Sequence, residues 1–141
     1  MPPITSPAYF AITYHARRRV LVGQWQRSIM PFELNQGYHR LLEVAEAYEC
    51  RFWLVDTVRW QAPADAATVL WMIETFLPKL YPRLGATVYL AFLMAPHQLA
   101  GVLTNHAIPP LAAINGTPYQ LQRFTDEATA LRWLRRCRTG R

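Results

Sequence analysis

The sequence predicts an α/β domain with a mixed, mostly parallel sheet of about five strands, the first antiparallel, and helices packed mainly on one face. Three observations carry this. Strand-like and helix-like stretches alternate along the chain. Phe52, Trp53, Leu54 and Val55, and again Val88–Leu93, are apolar at every position, the pattern of strands buried on both sides. Two runs rich in aromatic and β-branched residues, 9–14 and 20–25, stand at hairpin spacing near the front. With 141 residues and 52% hydrophobic content, one domain over 1–141 is expected, with flexible ends near 1–7 and 138–141.

The polar stretch 15–19 joins the first two strands into an antiparallel pair. From Phe32 the period changes: Leu34, Tyr38, Leu41, Ala45 and Tyr48 recur at helical spacing, with Gln36, Arg40 and Glu43 on the opposite face. The strand over 51–57 follows directly. A polar loop leads to a helix capped by Asp65, and Pro78 and Pro82 predict a kink or two short helices ending at Gly85. Val88–Leu93, the most hydrophobic strand, belongs inside the sheet. Residues 96–105 suit a short helix, 106–116 an irregular connection, and 119–124 a half-exposed edge strand. Thr125 is the expected cap of a last helix with Asp126 and Glu127 in its first turn, Arg135 and Arg136 in its last, and an apolar stripe of Ala130, Leu131, Trp133, Leu134 and Cys137.

Composition narrows the classes. Charged residues are only 17% and aromatics 13%, which excludes intrinsic disorder and predicts surface turned away from water, at an oligomer interface or a ligand cavity. The longest uncharged apolar run is too short to span a bilayer, and the first residues lack the basic and apolar regions of a signal peptide, so a cytoplasmic location is expected. Cys50 and Cys137 read as reduced, small hydrophobes. The formal charge of +6 resides in two clusters, Arg17, Arg18 and Arg19, and Arg132, Arg135, Arg136, Arg138 and Arg141. These read as a solvated turn and a helix end, and nucleic-acid binding is not expected.

The opening hairpin, the helix with Glu33, Leu34, Tyr38, Leu41 and Leu42, the strand Phe52, Trp53, Leu54, Val55 and Asp56, and the closing Phe124, Glu127, Ala128, Trp133 and Leu134 resemble the STAS and SpoIIAA-like family, the antagonists of anti-sigma factors, and especially its small bacterial stand-alone members. The resemblance covers about 9–136 and implies a non-enzymatic protein-interaction or regulatory domain. In the family's antagonists this strand leads to an aspartate and a phosphorylatable serine. Here Asp56 and Thr57 are followed by Val58, Arg59 and Trp60, which depart from that pattern, so no phosphorylation switch is expected at Thr57. Asp56 is expected instead to orient the loop, paired with Arg59.

Ligands of open α/β sheets gather beyond the carboxyl ends of the strands, which selects Arg27, Ser28, Asp56, Thr57, Arg59 and His97 as a candidate ligand or partner site. His15, His39, His97 and His106 lack metal-ligand spacing, and neither a phosphate loop nor a nucleophile elbow is present. No metal, no cofactor and no catalytic residue is therefore assigned; a Ser28, His97 and Asp56 grouping has no spacing to mark it. Right-handed crossovers between sequential strands put their helices on one side, which predicts an apolar sheet face in need of cover. A homodimer with Trp25 as an interface anchor is the leading expectation. The alternative is a carrier or sensor of a small apolar or lipid-like ligand, because related sheet-and-helix folds in lipid-transfer proteins open a cavity beside the sheet.

Overall fold

The computed structural model describes residues 4–62 and 65–140. Strands β1 (Phe10–His15), β2 (Val20–Trp25), β3 (Phe52–Asp56), β4 (Val88–Leu93) and β5 (Tyr119–Phe124) form one sheet in sequential order, with β1 antiparallel to β2 and all other neighbours parallel. The expected α/β class and mixed sheet are thus observed. Arg19 turns the hairpin at φ 53°, a left-handed conformation.

Helix α1 (Pro31–Tyr48) returns the chain from β2 to β3 and buries Leu34, Tyr38, Leu41, Leu42 and Ala45, the stripe its period implies. It begins on proline, whose missing N–H costs nothing in a first turn, and stops at Glu49, which adopts φ 51°. The next crossover is not one kinked helix but four short segments: α2 (Ala66–Trp71), a π turn (Met72–Phe76), a 3₁₀ turn (Leu77–Lys79) and α3 (Leu80–Leu84). Pro78 has no N–H for the carbonyl four residues back, and the preceding turn loosens so that Leu77 N–H reaches Met72 O. Gly85, at φ 78°, closes α3 and donates to Tyr81 O at 2.8 Å. Helix α4 (Pro96–Thr104) follows β4, and a single turn, α5 (Leu111–Ile114), lies within the stretch expected to be irregular. The final helix α6 (Glu127–Thr139) is capped by Asp126, which accepts from Thr129 N–H at 2.8 Å, rather than by Thr125.

Strand alternation sorts the core into two layers. Phe10, Leu21, Trp25, Trp53, Val55, Leu90, Phe92 and Leu121 face α1 to α5. Phe52, Leu54, Ala91 and Leu93 face α6, which supplies Ala130 and Leu134. The sheet face expected to lie bare is therefore covered over β3 and β4 by the chain's own last helix. The crossover rule constrains helices that connect two strands of the sheet, and among the described residues α6 connects no such pair. Trp25 is likewise not an interface anchor. It is fully buried, stacked on Phe10 with ring centroids 3.9 Å apart and edge-on to Tyr38 and Trp60, so it offers no surface to a second copy.

Candidate ligand pocket at the carboxyl ends of the strands

Beyond the carboxyl ends of β3, β4 and β5, on the side of α1 to α5, lies a pocket of about 150 Å³. Its floor is Phe92, Met94 and Leu121 from the sheet. The π turn and α2 bring Met72, Ile73 and Val69 over it, and α4 adds Val102. A π turn is wider than an α turn and recurs at binding sites, and here it is the element that presents Met72 and Ile73. The lining is overwhelmingly apolar, with two methionines whose flexible thioethers adapt to varied shapes.

The polar groups in the lining are almost all occupied. Thr57 Oγ1 donates to Leu93 O at 2.9 Å, tying β3 to β4. Gln98 Nε2 donates to Thr57 O (2.9 Å) and Trp60 O (2.6 Å), while its Oε1 accepts from Ala95 N–H (2.6 Å), so one amide pins the β3–α2 loop to the start of α4. Asp65 caps α2, accepting from Ala67 N–H at 2.9 Å and Thr68 Oγ1 at 3.2 Å. Tyr38 is buried, which pushes its phenol far above the usual range and keeps it neutral.

The Tyr38 hydroxyl has no hydrogen-bond partner among the described residues, and of the charged groups in the lining the one without a partner is Arg123. On β5, Tyr119, Leu121 and Arg123 share the face turned to the pocket, so a guanidinium stands where the strand pattern calls for an apolar side chain. It is half-buried, and the loss of hydration lowers its pKa from the ordinary arginine value. Among the described residues it has no hydrogen-bond or ion-pair partner, and none joins it to Asp65. A partly desolvated cation beside an apolar cavity is costly until an anion meets it.

The six residues selected from the sequence gather around this strand end but do not form one site. Thr57 lines the pocket. Ser28 Oγ accepts from the N–H groups of Gln61 and Ala62, both at 3.0 Å, and so shapes the loop beside it. Asp56 accepts from Gln24 Nε2 and Val58 N–H, each at 3.0 Å; its expected pairing with Arg59 is not formed, because Arg59 donates to Gln26 Oε1 instead. Arg27 pairs with Glu33 at the start of α1. His97 is exposed in the first turn of α4, and no hydrogen bond links Ser28, Asp56 and His97 to one another. The residues missed were Arg123, Gln98 and Met72. Only Arg123 was signalled, as the single charge on the apolar side of an alternating strand.

Among the described residues no cluster of three or more metal-ligating side chains occurs, and no helix is long and apolar enough to cross a membrane. In comparisons with family models, characterised proteins and solved structures, the chain finds no match, so the likeness to the STAS and SpoIIAA-like family rests on the residues quoted for it.

Proposed function

We propose that this domain binds, as a carrier or sensor, a small apolar molecule bearing an acidic group. The observation that carries the reading is the unpaired Arg123 guanidinium on the wall of an otherwise apolar pocket. The apolar body of the ligand fills the space beneath Met72 and Val102, and its carboxylate takes the two-pronged hydrogen bonds that Arg123 lacks. A cavity near 150 Å³ suits a group about the size of benzene, so aromatic or short branched acids fit better than long acyl chains. The Thr57 proton and the Asp65 carboxylate are engaged within the fold, which supports binding without chemistry. The homodimer is less favoured, because α6 covers β3 and β4 on the sheet face whose exposure motivated it.

Calorimetric titration with benzoate, a branched short-chain acid, and their uncharged amides tests this. Acids should bind at least tenfold more tightly than amides, the ratio expected when about 1.5–3 kcal/mol of charge-assisted hydrogen bonding is at stake, and Arg123→Gln should erase the preference. Equal binding of acid and amide, or no binding of either at millimolar concentration, would overturn the reading.

A further inference from the structure

Members of the two arginine clusters, more than a hundred residues apart in sequence, meet in the fold; Arg141 lies outside the described residues. The β1–β2 turn carries Arg17 and Arg18, and one side of α6 presents Arg132, Arg135 and Arg138; together they wall a groove of about 650 Å³ that contains one acid, Glu127. None of the five arginines has an ion-pair partner among the described residues, whereas three other arginines do: Arg27 with Glu33, Arg40 with Glu43, and Arg83 with Glu46. Arg138 Nε is shut off from water with no acceptor. A helix dipole explains cations in the last turn of α6, where Arg136 and Arg138 lie, but not Arg132, nor the two arginines brought across from the hairpin.

We infer that this groove docks an acidic, amphipathic segment of a partner protein. Its accessible apolar floor is Leu131 and, where the groove extends along the hairpin, Val22, both half-buried and resting on the buried Val20 and Leu54. Concave apolar ground between cationic walls matches a chain that alternates carboxylates with apolar side chains, the walls steering and orienting it and the floor holding it. A bilayer surface is flat and does not enter such a groove. Nucleic acid requires a series of stacking aromatics among the cations, and among the described residues the rings bordering the groove are Tyr14 and His15 at one end. The inference is independent of the pocket, which lies on the opposite side of the sheet.

Selection of short random peptides on the full chain provides the test. Enriched peptides should carry aspartate or glutamate interleaved with leucine or phenylalanine and should weaken at least tenfold as salt rises from about 0.05 M to about 0.5 M. Arg17→Glu with Arg18→Glu, and separately Arg132→Glu with Arg135→Glu, should each lose at least tenfold in affinity, while Arg136→Glu, outside the groove, should not. Glutamine versions of both pairs, checked for unchanged circular dichroism, guard against misfolding and should lose affinity in the same order. Three results would overturn the proposal: no acidic enrichment, selected peptides that bind all variants alike, or a labelled single-stranded oligonucleotide or phosphatidylglycerol vesicle that binds the chain more tightly than the best peptide.

Discussion

Arg27 and Glu33 form a two-pronged ion pair, with Nη1 to Oε1 at 3.0 Å and Nη2 to Oε2 at 2.8 Å, and the same carboxylate accepts the Met30 N–H at 2.9 Å where α1 begins. One side chain thus satisfies an orphan donor of the helix start and neutralises the arginine that leads into it. Arg27 also lies over the ring of Tyr9, 5.3 Å from its centroid, so the carboxylate anchors the chain entering α1 to the segment before β1.

The Arg27 guanidinium, followed by the Met30 N–H, holds the Glu33 carboxyl down at about 2 against an ordinary 4.5. A carboxylate depressed in the folded state stabilises the fold above its unfolded value and ceases to do so as pH falls through its folded value. The expected outcome is that wild type exceeds Glu33→Gln in stability at neutral pH and that the gap closes between about 4.5 and about 2. Urea midpoints of both proteins across that range check it; a gap independent of pH would mean that the ion pair contributes nothing through charge.

Gly37 sits inside α1, where alanine would ordinarily stabilise the helix by about 1 kcal/mol. Here the sign reverses. A Cβ at this position would lie 2.5 Å from Trp25 Cη2 and 3.2 Å from Phe10 Cδ2, and both rings are fully buried and stacked on each other. Gly37→Ala should therefore destabilise by about 1–3 kcal/mol, the range for overpacking a close-fitted core. Chemical denaturation that found the variant more stable would mean that the Trp25 and Phe10 stack shifts freely.

The contrast between these positions explains what was legible in the sequence. The strands themselves, the α1 stripe and the half-exposed character of β5 follow from local periodicity, because the side chains that reveal an element are those that bury it. The cover supplied by α6 was not legible in that way: its stripe of Ala130 and Leu134 says that one side is buried, not which sheet face receives it. The strand-end rule located the pocket's neighbourhood and Thr57 within it. The π turn that completes the pocket arises where Pro78 perturbs a helix, and proline marks the disturbance without specifying its geometry. The arginine clusters looked separate because only the tertiary fold brings the β1–β2 turn beside α6.

Arg123 couples binding to stability. Because burial disfavours its charged form and no partner compensates among the described residues, Arg123→Met should raise the stability of the unliganded protein by about 0.5–1 kcal/mol while abolishing the preference for acids. Denaturation curves with and without benzoate separate the two effects, since ligand should stabilise wild type more than the variant. Destabilisation of the unliganded variant by more than about 1 kcal/mol would mean that the guanidinium is already satisfied within the fold, and Arg123 would no longer qualify as an anchor.

The last helix has two sides with opposite expected behaviour. Leu134 is fully buried in the layer formed with Phe52, Leu54 and Ala91, so Leu134→Ala removes contacts from a site walled by sheet and helix and should cost about 2–5 kcal/mol. Arg135, Arg136 and Arg138 make no ion pair among the described residues. Replacing all three by glutamine loses a favourable interaction with the helix end but relieves mutual repulsion, and the net change should stay within about 0.5 kcal/mol. Leu134→Asp goes further: it places a charge beneath α6, should lift the helix from the sheet, and should make the protein self-associate more than wild type as Phe52 and Leu54 become exposed. Sedimentation velocity at matched concentrations reads that change directly. If Leu134→Ala costs less than about 1 kcal/mol and Leu134→Asp leaves the sedimentation profile unchanged, α6 does not seal the sheet, and the uncovered face would again require a second copy to bury it.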